Sequence, residues 1–213
     1  MFTTLLLAAT MLLNSAGKPV IHQSIKVDEK RTIFVEGSIT DASARKFISD
    51  EQSMTGDKPI YIIFNSGGGS VAAMWMYDNA LDSRKDTVGI VEGSCLSACA
   101  NLLLHTKTRY IEPHSQIYYH SGSIGFNGER FESMRQVETS TKTMFAMDLD
   151  NATRLGMPIE VYEQKIMAGG FWIEDTEACK MGITTAIVDG FVSKHKPVVD
   201  KPDDSFLDEL FGP

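Results

Sequence analysis

The sequence lacks any block of Lys and Arg. With 20 basic against 28 acidic residues it carries a formal net charge of -8. A nucleic-acid backbone or an anionic membrane surface would repel such a chain, which argues against both as partners. It also lacks an apolar run long enough to cross a bilayer, since the longest, Leu5 to Leu13, falls short of about 20 residues. No glycine turn ends in Gly-Lys-Ser/Thr, so a nucleotide cofactor is not indicated. Five scattered histidines and three cysteines show no zinc-ligand spacing, so neither a metal nor another cofactor is expected.

The few cysteines leave the redox compartment open. Cys95 and Cys99 either pair in an oxidising compartment or sit buried as small apolar residues, and Cys179 has no obvious partner. Four-residue spacing inside one helix holds two Cβ atoms farther apart than a relaxed disulfide prefers, so the free, buried state is expected.

A chain of 213 residues with 43% hydrophobic composition fits one well-buried domain. Residues 1–16 combine an apolar run with the small residues Asn14-Ser-Ala-Gly17, as in a signal peptide, although no Lys or Arg precedes the run. This gives a leader over 1–16, a domain over 17–190, and an acidic tail over 191–213, where prolines and charges mix as in a mobile segment. Export to the periplasm or the exterior is the expectation, with a cytoplasmic location as the alternative.

Within the domain, Arg31–Gly37 alternates as a half-buried strand does. Thr40 opens a helix that places Ala42, Phe47 and Ile48 at helical spacing. Pro59–Phe64 is a nearly continuous apolar run that suits a central strand, and it meets the turn Asn65-Ser-Gly-Gly-Gly69 before a helix over Ser70–Leu81. The pattern repeats with a strand at Thr87–Val91, a turn over Gly93–Ser97 and an apolar helix over Ala98–His105. Short strands follow at Thr108–Ile111 and Gln116–His120. A long amphipathic helix ends the series over Arg130–Leu155, suited to covering the core or to projecting into subunit contacts. A second helix, Pro158–Met167, a Gly169-Gly170 break, and a strand, helix and strand over Phe171–Asp189 complete the domain. Strands alternating with helices predict an α/β domain whose loops converge at the carboxyl ends of the strands.

Two glycine turns, an exposed serine and a strand-end histidine are the parts of serine acyl transfer. In the order Asn65-Ser-Gly-Gly-Gly-Ser-Val71, Met76-Tyr-Asp78, Gly93-Ser-Cys-Leu-Ser-Ala-Cys99, Arg109, Pro113-His-Ser115 and His120, the chain resembles the proteolytic subunit of the Clp protease over about residues 31–190. It looks closest to a diverged periplasmic or phage-associated branch. The resemblance implies a ClpP/crotonase-like spiral of repeated β-β-α units with a long projecting helix. It also implies a homo-oligomer that cuts peptides or unfolded protein. Export would separate it from an ATP-dependent unfoldase, because the periplasm lacks ATP.

Carried over residue by residue, Ser97 is the nucleophile, His120 the base, and the amides of Gly68 and Ala98 the oxyanion hole. Two departures stand out. Gly67 replaces the proline usual in the first turn, and Lys165 falls at the position of the triad acid. Glu163, Asp175 and Asp148 are the candidate replacements, Asp175 first. A crotonase-type acyl-thioester enzyme and a catalytically inactive assembly protein are the competing readings.

Overall fold

The computed structural model describes residues 20–122 and 134–189. The expected leader, the tail and the first residues of the long helix lie outside them. Eight strands of the described residues form one sheet. In chain order they are β1 (His22–Gln23), β2 (Thr32–Ile39), β3 (Ile60–Gly69), β4 (Thr87–Leu96), β5 (Thr108–Ile111), β6 (Gln116–Tyr119), β7 (Phe171–Glu174) and β8 (Ala186–Val188). The helices are α1 (Asp41–Ser53), α2 (Val71–Ser83), α3 (Ala98–His105), α4 (Met134–Leu155), α5 (Ile159–Met167) and α6 (Asp175–Met181).

The main path runs β1-β8-β5-β4-β3-β2, with every pairing parallel. Strand β4 divides its partners. Val88–Val91 pair with β5, whereas Ser94–Leu96 pair with β6, which in turn takes β7 antiparallel. The sheet therefore curls at the middle of β4, where Gly93 adopts φ +88°. This mixed α/β architecture with a curled sheet is the one the resemblance implies.

Burial explains the apolar runs. Ile60, Ile62, Ile63 and Phe64 of β3 are all fully buried, because the strand is covered on both faces. Ile62 and Phe64 pack into the main core with α1, α2 and α3, while Ile63 joins Val27, Ile90 and Val188 on the other side. Helix α1 begins at a capping box in which Thr40 and Ser43 satisfy each other's backbone amides. Its buried face is Ala44, Phe47 and Glu51 rather than the expected stripe through Ala42, which is exposed. Ser70 caps α2 by accepting from the Ala73 amide at 3.2 Å. The segment expected as a turn over Gly93–Ser97 is strand as far as Leu96, so the chain reverses at Ser97 alone.

Candidate active site

Ser97 stands between β4 and α3 with φ +57° and ψ -123°, a conformation that L residues rarely adopt. Three contacts hold it there. Its amide donates to the Tyr118 carbonyl at 2.8 Å, its carbonyl accepts from the Asn101 amide at 3.2 Å, and Gly68 packs against its side chain. A Cβ placed on Gly68 would lie 2.7 Å from Ser97 Cβ and 2.7 Å from the Leu96 carbonyl oxygen. Only glycine fits that contact, and its φ of +93° requires glycine independently.

The Ser97 hydroxyl makes no cap hydrogen bond to α3. Every residue of that eight-residue helix is buried. The Ala98 amide opens the helix, where amides have no partner within the helix and the dipole favours negative charge. A Cβ on Gly68 would also lie 3.0 Å from the Ala98 nitrogen, so the Gly68 backbone and the Ala98 amide border one small space. The Gly68 amide itself donates to Ser66 Oγ at 3.1 Å, and Ser66 Oγ donates to the Gly37 carbonyl at 2.5 Å. An oxyanion would have to draw the Gly68 amide away from Ser66, which makes that half of the hole less preorganised than the Ala98 half.

Cys95 and Cys99 correct one expectation. They form a disulfide, with Cα atoms 5.1 Å apart. The expected spacing assumed one helix, whereas Cys95 lies in β4 and Cys99 in α3. The reversal at Ser97 brings the two together across that turn. Cys179 is free and buried, its thiol 3.2 Å from the Thr184 hydroxyl and its pKa pushed up by burial.

Parallel pairing sets Leu96 beside Tyr118, so Ser97 and His120 both emerge past the carboxyl ends of neighbouring strands. His120 is half-buried and its ring stacks on Tyr118 at 5.5 Å, which stacks in turn on Trp172 at 4.4 Å. Burial pushes its pKa below the ordinary imidazole value, with partial opposition from the Ser121 backbone. Among the described residues, no carboxylate forms an ion pair with His120.

Asp175 lies elsewhere, which corrects its place as first choice for the acid. In the antiparallel β6–β7 register Gln116 faces Glu174 and Tyr119 faces Phe171. Asp175 therefore adjoins Ser115, at the opposite end of β6 from His120 and roughly 16 Å away along the strand. Its Oδ2 accepts from the His114 amide at 2.7 Å and its Oδ1 from the Thr176 amide. Burial acts to raise its pKa, but those two amides outweigh it and hold the carboxyl below its usual value. The carboxylate fixes the positive-φ turn at His114. Loop spacing in the sequence does not say which end of an antiparallel strand a residue reaches.

Lys165, at the position expected for the acid, sits with its ammonium 5.2 Å from the centre of the Phe171 ring. Asp148 on α4 has a buried Oδ1 with no hydrogen-bond partner, and burial, then repulsion from Glu163, raises its pKa to about 6. The preceding side chains on α4, Met144 and Met147, abut Gly122, two residues beyond His120.

A second histidine lies in a cluster that the motifs do not announce. His105, at the far end of α3, is buried with Nδ1 2.9 Å from Asp82 Oδ2. Its Nε2 lies 3.6 Å from Asp78 and 3.5 Å from Asp150. Arg154 and Lys107 join through Asp82, and Arg154 also through Asp150. Burial first, then repulsion from Asp82, raises the Asp78 pKa to about 7. The i,i+4 pairs Asp78/Asp82 and Asp150/Arg154 are the only sequence signal of this cluster. Arg109 is likewise structural, since its guanidinium donates to the carbonyls of Ile183 and Thr106.

The positive-φ serine at the head of a buried helix, the glycine held against it and the histidine on the adjoining strand end lie within the stretch that matches the family model described as Clp protease. That match covers residues 15–190, and the chain belongs to the Clp protease family.

Proposed function

We propose that this protein is a serine endopeptidase that hydrolyses peptide bonds in peptides or unfolded protein segments. His120 takes the Ser97 proton as Oγ attacks the scissile carbonyl, and the tetrahedral oxyanion forms against the amides of Ala98 and Gly68. His120 then returns the proton to the leaving amine. Water then attacks the acyl-enzyme and gives its proton to His120, which passes it to Ser97 Oγ as the ester bond breaks. The observation that carries this reading is Ser97 itself, kept at positive φ between a buried helix and a glycine that admits no side chain.

Asp148 is the stronger candidate to assist His120. Its unpartnered carboxyl oxygen and its place on the helix that abuts Gly122 favour it over Asp175, which is already engaged at His114. The exposed Phe145 and Leu149, four residues apart on α4, support a homo-oligomer assembled through that helix. The disulfide and the leader-like start support a protein exported to an oxidising compartment, where an ATP-dependent unfoldase would not act.

The competing reading, an inactive binding or assembly protein, is favoured by the Ser66 hydrogen bond on the Gly68 amide and by the lack of an ion-paired carboxylate at His120 among the described residues. Incubation of purified protein with an unstructured substrate distinguishes the two. Cleavage that disappears in Ser97→Ala supports the peptidase. Equal cleavage by both, or none by a folded wild type, contradicts it.

A further inference from the structure

We propose that the Cys95–Cys99 disulfide positions the catalytic serine, and that the oxidised form is about tenfold more active than the reduced one. This inference rests on the reading of Ser97 as nucleophile. The bond closes a ring of five residues, Cys95-Leu96-Ser97-Ala98-Cys99, whose middle member is the nucleophile and whose fourth supplies an oxyanion amide. A ring this short restricts the unfolded chain little compared with a long loop, so its main effect is local.

That local effect falls where the backbone most needs it. Ser97 is one of only two non-glycine residues with positive φ among the described residues. The other, His114, is held by the Asp175 carboxylate. Ser97 has no comparable side-chain brace, and the disulfide ties the strand before it to the helix after it. Both cysteines are fully buried, so a reductant reaches the bond only when the turn opens. The disulfide is thus a permanent brace set during maturation rather than a rapid switch.

Reduction makes the chemistry explicit. A dithiol such as dithiothreitol gives up two electrons and two protons. The Cys95 Sγ–Cys99 Sγ bond breaks to two thiols, and the reductant closes to its own cyclic disulfide. The turn then loses its covalent tie. Ser97 can relax toward ordinary φ, which moves Oγ and turns the Ala98 amide.

The test compares oxidised wild type, wild type reduced under native conditions, and the double variant Cys95→Ala/Cys99→Ala, each reacted with a fluorophosphonate probe over a range of concentrations. The account predicts that the maximal labelling rate falls about tenfold on reduction, while the concentration for half-maximal rate stays unchanged. The double variant matches the reduced protein and ignores dithiothreitol, and reoxidation restores the wild-type rate. Equal maximal rates in all three states overturn the proposal.

If none of the three labels, the nucleophile reading fails, and amide exchange over residues 96–101 judges the brace alone. Exchange that speeds up on reduction in this segment, and not in the rest of the sheet, supports it. Unchanged exchange overturns it.

Discussion

Two histidines lie near the two ends of helix α3, and their surroundings are inverted from what chemistry alone would suggest. His105 closes helix α3 and is ringed by Asp78, Asp82 and Asp150. His120 lies past the end of β6, beside the turn that opens the same helix, and among the described residues it has aromatic and backbone neighbours but no ion pair. A histidine among carboxylates attracts a catalytic reading, yet His105 is buried away from any nucleophile and ties α2, α3 and α4 together. The functional assignment therefore comes from backbone geometry at Ser97 and Gly68, not from the density of charge.

Exchanging the two histidines for alanine separates these roles most sharply. His120→Ala is expected to lower hydrolysis by about a thousandfold or more, with little change in melting temperature. His105→Ala should instead cost about 2–3 kcal/mol in urea unfolding, because it empties a buried ring site and removes the imidazole beside the buried Asp78. A stable but inactive His105→Ala beside an active His120→Ala would reverse the assignment.

The carboxylates sharpen the contrast further. Asp148→Asn is expected to slow turnover about tenfold. Asp175→Asn should leave turnover within about twofold while costing about 1 kcal/mol of stability through its lost amide contacts. Steady-state rates and denaturant midpoints on the two variants decide this, and a larger kinetic effect from Asp175→Asn would restore it as the acid.

The titrations differ in sign as well. The folded protein holds the Asp78 proton up to about pH 7, against a usual carboxyl value of 3.8. Folded chains thus keep a proton that unfolded chains release, and this group's contribution to stability declines as pH rises from about 4 to 7. Asp78→Asn, which cannot ionise, should therefore gain on wild type across that window, by on the order of 1 kcal/mol at pH 8. His105 works oppositely. Its lowered pKa, caused first by burial and then by Arg154, makes its contribution fall as pH drops below the ordinary imidazole range. At His120 the lowered pKa appears in kinetics, where the rate should rise with pH and level off with a midpoint below 6.5. A midpoint well above that value would mean that a carboxylate partners His120 in the working enzyme.

Gly67 supplies the smallest effect. Gly67 is exposed, and a Cβ there would meet nothing within 4 Å. Gly67→Ala should raise stability by about 0.4–1 kcal/mol by restricting the unfolded chain, with activity retained. Gly68→Ala in the same turn should remove activity.

The strands and helices that frame the site were legible in the sequence because they are written in apolar runs and caps. Ile60 to Phe64 had to be a covered strand, and Thr40 had to open a helix. Ser97, Gly68 and His120 read in the sequence as an ordered set, and each lies at or just past the carboxyl end of a strand. What was not legible depends on direction and on small changes of path. Shortening the turn to Ser97 alone placed Cys95 in a strand and turned an unfavourable helical spacing into a disulfide. The antiparallel turn of β7 carried Asp175 to the wrong end of β6. The His105 cluster joins three helices, and only the pairs within one helix leave a trace in the sequence.

The most direct measurement is mass-spectrometric mapping of the fluorophosphonate adduct on the folded, disulfide-closed protein. The account predicts a single adduct on Ser97, absent from Ser97→Ala and strongly reduced in His120→Ala. An adduct on another serine, or a folded wild type that does not react at all, would contradict it.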